Sequence, residues 1–146
     1  MRKTMVSVAL VGLMAALPGS ALAGKKTIHK EFSAGPHAPI PVLSDADPNG
    51  CRNGEEGVHK TTVPFKAPGK GVLSVGIDTF DGDWDLYVLS KSGSVLAASD
   101  ASQLQGSPQE ENISMRLGKK QAVQIVACNW AGGPTASGHY MYKYKK

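Results

Sequence analysis

From Val58 onward, apolar and polar residues alternate in short runs, and turn-forming residues separate these runs. Such alternation gives each segment one apolar side that can face a core, as in β-strands covered on a single face. The sequence shows no convincing helical stripe. The pattern therefore predicts an all-β protein with the architecture of an antiparallel β-sandwich. The predicted strands are centred on Val58–Phe65, Leu73–Ile77, Leu86–Val88, Val95–Ala98, Ile113–Leu117, Val123–Ala127 and Tyr140–Tyr144.

The N-terminus has the layout of a secretory signal peptide. Arg2 and Lys3 precede the uncharged apolar run Met5–Leu17, and Ala21–Ala23 supplies small residues for cleavage. The run is shorter than the ~20 residues that a membrane-spanning helix takes. We therefore expect residues 1–23 to be a removed signal peptide, and the mature protein to be secreted without a membrane span.

Residues 24–56 are rich in proline and glycine, with few periodic apolar positions. Proline fixes φ and removes a backbone donor, so it disfavours helices and central strands. We expect an irregular N-terminal arm over 24–56 and a β-sandwich domain over 57–146. Pro64 lies inside the first predicted strand, which it places at the edge of a sheet.

The net charge of the whole chain is +4. This value includes Arg2 and Lys3, so the processed chain would be less basic. Along the sequence the basic residues form small, scattered clusters, such as Lys25–Lys26, Lys119–Lys120 and Lys145–Lys146. Nucleic-acid-binding proteins concentrate basic charge on one face or stripe, so the scatter predicts solubilising lysines and no nucleic-acid partner.

Cys51 and Cys128 are the only cysteines. An even number of cysteines in an exported chain favours a disulfide bond, so we predict the bridge Cys51–Cys128. The rival interpretation makes Cys128 a catalytic nucleophile, with Asn129 adjacent and His139 nearby in sequence. A nucleophilic thiolate needs a nearby base and a reducing or protected setting, and an oxidising compartment argues against it.

The segment FDGDWDLYVLS, Phe80–Ser90, places Asp81, Asp83 and Asp85 at every second position. If the strand begins by Trp84, the alternate apolar residues face the core, and Asp83, Asp85 and Tyr87 point outward. The favoured interpretation is structural, because aspartates in Asp-Gly turns accept hydrogen bonds from neighbouring backbone N–H groups.

A second interpretation of these aspartates is a metal site. Alternating aspartates are hard oxygen donors suited to Ca²⁺, but the glycine and glutamate of an EF-hand loop are missing. A calcium site would need a further segment, and DADPNG offers Asp45 and Asp47. A catalytic carboxylate pair is a third interpretation. It predicts an apolar pocket that raises one pKa, and we expect none on an exposed strand face.

Trp130 lies in a turn-rich stretch between Asn129 and Ala131–Pro134. An aromatic ring on such a loop is suited to stacking on a sugar or anchoring a partner. The alternative is that Trp130 folds back over the disulfide. Trp130, Asp83, Asp85 and Tyr87 are therefore the candidate ligand-binding residues. Tyr140, Tyr142 and Tyr144 are predicted to form the inward side of the last strand.

Phe80–Ser90 resembles the Gly-Asp-x-Asp-Leu-Tyr-Val signature of the bacterial pre-peptidase C-terminal domain. Gln124–Cys128, Trp130–Pro134 and Tyr140–Tyr144 are similar to that family's penultimate strand, glycine-rich turn and closing strand. The resemblance implies a jelly-roll-like, non-catalytic sandwich, and some members of the family bind calcium, collagen or polysaccharide. Cys51 and Cys128 are not part of the signature.

The sequence contains no nucleophile elbow, His-Glu-x-x-His motif, phosphate loop or Cys-x-x-Cys motif. Its four histidines are far apart in sequence and do not form a metal-binding motif. We therefore expect no enzymatic activity. The favoured function is a secreted module that binds an extracellular polysaccharide or protein, with no established cofactor and with structural calcium as the one candidate. The alternatives are a small secreted hydrolase and a module that interacts with or inhibits a protease.

Overall fold

A computed structural model of the chain describes residues 24–40, 51, 54–100 and 110–145. The predicted signal peptide, 1–23, and the proposed calcium ligands Asp45 and Asp47 lie outside these residues. The described part contains eight β-strands. They are β1 (Lys25–Ala34), β2 (Lys60–Lys66), β3 (Gly71–Asp78), β4 (Gly82–Ser90), β5 (Val95–Ser99), β6 (Glu111–Leu117), β7 (Ala122–Gly132) and β8 (Ala136–Lys145).

The strands form two four-stranded sheets. The first sheet has the order β1-β8-β3-β6, the second has the order β2-β7-β4-β5, and all neighbours are antiparallel. This is the order of an eight-stranded jelly roll, in which consecutive strands cross repeatedly between the two sheets. The predicted antiparallel β-sandwich is therefore confirmed, and β2, which contains Pro64, lies at a sheet edge as predicted.

The core lies between the sheets and is built from one side of each strand. Trp84, Leu86 and Val88 are fully buried on β4, as the alternation predicted. On β8, Tyr140 and Tyr142 are buried and Tyr144 packs against the same cluster. The ring of Phe65 meets both Tyr140 and Tyr142 edge-on, with centroids 5.4 and 5.0 Å apart. These aromatic contacts join β2 of one sheet to β8 of the other.

The predicted irregular arm over residues 24–56 is wrong for its first part. Lys25–Ala34 form β1, which pairs with β8 along its whole length. Ile28 and Phe32 are half-buried on its inner side. The inner side of β1 also carries Lys26 and Lys30, which remain exposed because β1 lies at the edge of its sheet. These lysines interrupt the apolar alternation.

The chain then crosses from the first sheet to the second through residues 35–40. The backbone N–H of His37 donates to Pro134, that of Ala38 to Val58 and that of Ile40 to Asn129, at 2.7 to 2.9 Å. Ile40 is buried against the outer face of the second sheet. This segment therefore covers a face that the sequence pattern had assigned to solvent.

Replacing Tyr142 with phenylalanine is expected to lower the free energy of unfolding by about 1–2 kcal/mol, because the buried Gly69 carbonyl would lose its partner. The Tyr142 hydroxyl donates to that carbonyl at 2.6 Å. Urea unfolding would measure the change, with the half-buried Tyr144→Phe as the control expected to change stability much less. Equal losses in the two variants would contradict the role assigned to this hydrogen bond.

Candidate functional site

The pairing of β4 with β7 brings together candidate residues that are far apart in sequence. Asp85 lies directly opposite Cys128 in this pairing. One step further on, β7 contains an extra residue, because Trp84 pairs with Asn129 whereas Asp83 pairs with Ala131. The extra residue is Trp130. A β-bulge of this kind bends its strand and re-aims the side chain, which here places Trp130 over Asp85.

Asp85 is held by donors from two strands. Its Oδ2 atom accepts a hydrogen bond from the indole N–H of Trp130 and another, at 3.3 Å, from the hydroxyl of Tyr87. The Tyr87 hydroxyl also lies 3.4 Å from Oδ2 of Asp100, at the end of β5. We call Asp85, Tyr87, Asp100 and Trp130 the carboxylate cluster.

Asp85 is only 5% exposed. The pKa of Asp85 is raised to about 7, mainly by burial and further by the nearby charges of Asp83 and Asp100, while the hydrogen bonds from Trp130 and Tyr87 act in the opposite direction. The pKa of Tyr87 is also raised, by burial first and then by the neighbouring carboxylates. The expectation that this strand face lacks a pocket able to raise a carboxyl pKa is therefore wrong. The physical reason is the cover supplied by Trp130 and the N-terminal segment.

The predicted disulfide Cys51–Cys128 is confirmed, with Cα atoms 5.6 Å apart. It lies in a small second core on the outer face of the second sheet, and Trp130 packs against this core. The buried members of the second core are Ile40, Cys51, Tyr87, Leu89, Val126 and Cys128. Because the Cys128 sulfur is part of the bridge, the alternative that makes it a nucleophile is wrong.

Three of the four candidate ligand-binding residues, Asp85, Tyr87 and Trp130, thus lie together, and Trp130 folds over the disulfide. Asp83 lies beside them, close enough to Asp85 for its charge to act on that carboxyl. Only Trp130 in the trio keeps intermediate exposure, since Asp85 and Tyr87 are buried. The carboxylate cluster could therefore present one aromatic edge to a ligand, with its polar groups turned inward.

The structure does not gather the predicted calcium ligands that it describes. Asp81 is exposed, whereas Asp85 is buried and already accepts hydrogen bonds through Oδ2. Among the described residues no three His, Cys, Asp or Glu side chains are placed to hold a metal ion. Since Asp45 and Asp47 lie outside those residues, calcium binding stays a prediction.

A second polar group, which the sequence analysis missed, lies on the outer face of the first sheet. His29 of β1 and His139 of β8 meet edge-on with ring centroids 6.4 Å apart. Nδ1 of His139 is 3.8 Å from a carboxylate oxygen of Asp78, at the end of β3. The three side chains line an open groove. Histidines separated by more than a hundred positions give no motif, so only the β1–β8 pairing could have revealed this contact.

The charged residues are separated along the strand direction. Consecutive strands run in opposite directions, so odd-numbered strands begin, and even-numbered strands end, at the same end of the sandwich. Apart from Lys30 and Lys60, every Lys and Arg in the described ranges lies near that end, and all of these are exposed. We call it the basic end; its members are Lys25, Lys26, Lys66, Lys70, Lys91, Arg116, Lys119, Lys120, Lys143 and Lys145.

The acidic residues are concentrated toward the opposite end. Asp78 is the last residue of β3, and Asp100 directly follows β5. Asp83 and Glu111 lie at the beginning of β4 and β6. The prediction that the basic residues are scattered is therefore wrong in space, although it is right along the sequence. The lysine clusters flank strands in a regular way, and this signal would have been visible once the strand directions were assigned.

Neither protein-family models nor curated proteins match the sequence. Among solved structures, the fold is similar to the pre-peptidase C-terminal domain of a collagenase from Bacillus anthracis, with 10% identity and a TM-score of 0.41 over 81% of this chain and 86% of that one. It is also similar to the VP2 subviral particle of infectious bursal disease virus, with 13% identity and a TM-score of 0.38 over 97% of this chain and 37% of that one.

In the described part of the chain, no helix has the length and apolar character needed to cross a membrane.

The family that the sequence resembles is represented among the solved structures of similar fold. What the structure itself establishes is a disulfide-bridged β-sandwich with a covered carboxylate cluster and two oppositely charged ends.

Proposed function

We propose that the protein is a secreted, non-enzymatic module that binds an extracellular polymer or protein. The observation that carries this proposal is the separation of charge onto the two ends of a β-sandwich. Extended patches of one sign attract partners of opposite charge and speed their association. Lysines and carboxylates interspersed over the whole surface would serve solubility without favouring any partner.

The state of the carboxylate cluster supports a binding role over hydrolysis. A hydrolase that used Asp83 and Asp85 would need both carboxyls to flank a bound substrate. Asp85 is 5% exposed, and its Oδ2 atom is already engaged by Trp130 and Tyr87. A substrate would have to displace Trp130 before reaching it. The geometry is that of a buried acid which supports the fold.

Calcium enters the proposal as a structural ligand that would join Asp81 and Asp83 to Asp45 and Asp47. Its chemistry would be oxygen coordination at the acidic end of the sandwich, away from the basic end. Asp85 is the least suitable member of the predicted set, because burial favours its neutral form.

The test is equilibrium binding of the processed protein to a panel of immobilised polysaccharides and matrix proteins, with and without a calcium chelator. We expect saturable binding to at least one member and no turnover of any member. If the chelator abolishes binding or lowers the melting temperature, the calcium part is supported. Absence of saturable binding across the panel, or cleavage of a panel member by the pure protein, would contradict the proposed function.

A further inference from the structure

We infer that the basic end carries a binding groove for an acidic polysaccharide, one whose sugars bear carboxylate or sulfate groups. This inference rests on the proposed binding function and names its ligand class and its site. The groove is open, has a volume of about 590 Å³ and lies on the first sheet where β8 and β6 end and β3 begins. Its charged lining consists of Lys25, Lys70, Arg116, Lys143 and Lys145, and no acidic residue lines it.

The strand register fixes how these cations are arranged. Val72 on β3 lies opposite Lys143 on one side and Arg116 on the other. Neighbouring strands are about 4.8 Å apart, so the two cations flank Val72 at backbone positions roughly 10 Å apart. Lys25 and Lys145 face each other in the next row, one same-face step of about 7 Å away. Together with Lys70, which directly precedes β3, five cations thus border this part of one sheet face.

This arrangement works against the stability of the sheet. Like charges directly opposite each other on paired strands are destabilising, and Lys25 lies directly opposite Lys145. Lys70 is held beside this pair, because the backbone N–H of Lys145 donates a hydrogen bond to the carbonyl of Lys70 at 3.3 Å. Local rules are broken in this way mainly at functional sites, and an anionic ligand would remove the repulsion.

The floor of the groove favours a polysaccharide among polyanions. Val72, which is 38% exposed, lies on the outer face between Lys143 and Arg116 and gives the groove an apolar floor. Sugar rings present apolar C–H faces that can lie on this side chain, while their acidic groups reach the cations on either side. A membrane surface is flat and would not enter the groove.

The experiment compares dextran, carboxymethyl dextran and dextran sulfate, which share one backbone and differ in charge. We expect the wild-type protein to bind both charged forms, with binding weakened by salt, and not to bind dextran. The double variant Arg116→Glu, Lys143→Glu should weaken binding at least about tenfold. The control Lys66→Glu, Lys91→Glu makes the same change in net charge at the same end of the sandwich but outside this groove, and should weaken binding about threefold or less.

Equal losses in the two double variants would overturn the groove, since general attraction to the basic end would then be sufficient. Tighter binding to single-stranded DNA or to anionic phosphatidylserine vesicles than to the charged dextrans would overturn the ligand class. If the protein binds a neutral polysaccharide or a matrix protein and the groove variant leaves that binding unchanged, the proposed function stands and this inference fails. Circular dichroism of each variant verifies that it is folded.

Discussion

Replacing Asp85 with asparagine is expected to raise the free energy of unfolding at pH 8 by about 2 kcal/mol or more, and to change it little near pH 4. The pKa of Asp85 is raised from 3.8 to about 7 in the folded protein. Between these two values the folded state holds a proton that the unfolded state has lost. The stability from Asp85 is therefore complete below pH 3.8 and is lost as the pH rises through 7.

The slope of this loss approaches about 1.4 kcal/mol per pH unit for a single group. Asparagine keeps an oxygen that can accept the N–H of Trp130 and the hydroxyl of Tyr87, but it carries no charge to bury. The difference between variant and wild type should accordingly grow from pH 4 to pH 7 and then level off. Urea unfolding at unit steps of pH measures it directly.

Glu31→Gln is the control, because Glu31 is exposed and the change removes the same charge. Its effect should stay within about 0.5 kcal/mol, as expected for a surface substitution. A stability difference for Asp85→Asn that is constant from pH 5 to pH 8 would contradict the role given to burial. A less stable variant at pH 8 would indicate that the ionised carboxylate is needed, as it would be for a calcium ligand.

Removing the disulfide, by the double change Cys51→Ala and Cys128→Ala, is expected to lower the free energy of unfolding by about 4 kcal/mol. The bridge joins residues 77 positions apart, so its absence frees a long loop in the unfolded chain. Both sulfurs also belong to the second core, where the smaller alanines leave space unfilled. Urea unfolding of the variant and of wild type treated with reductant should give similar losses.

The same variant tests a connection between the bridge and Asp85. Cys128 lies opposite Asp85, and Cys51 helps to cover that face of the sheet. Without the bridge water should reach Asp85 more easily, so its pKa should fall and the pH dependence between 4 and 7 should flatten. Val126→Ala is the control within the second core, since it removes apolar volume but keeps the bridge. If removing the bridge lowers the free energy of unfolding by less than about 1 kcal/mol, the structural role assigned to the bridge is wrong.

The strands predicted from alternation were correct wherever an unbroken series of apolar residues faces the core. Trp84, Leu86 and Val88 illustrate this, and the stripe of tyrosines on β8 does so as well. β1 was missed because its inner side alternates lysines with the half-buried Ile28 and Phe32. An edge strand with so little apolar signal is recognisable only through its pairing with β8.

The candidate site shows a different limit. The alternation correctly placed Asp85 and Tyr87 on the side of β4 opposite to Trp84, and it assigned that side to solvent. Ile40 and Cys51 cover it instead, from segments far away in sequence. A period-two pattern reports which residues share a face, but it contains no information about what later packs on that face. The depth of Asp85, and hence its raised pKa, could not be predicted.

The opposed charges of the two ends give the described part of the protein an electric dipole aligned with its strands. In the field of a negatively charged surface such a molecule experiences a torque, and it arrives end-first before any specific contact forms. Trp130 and the disulfide, which lie on the flank of the second sheet, would then remain turned to the medium. A molecule bound in this way keeps that flank free for a second encounter.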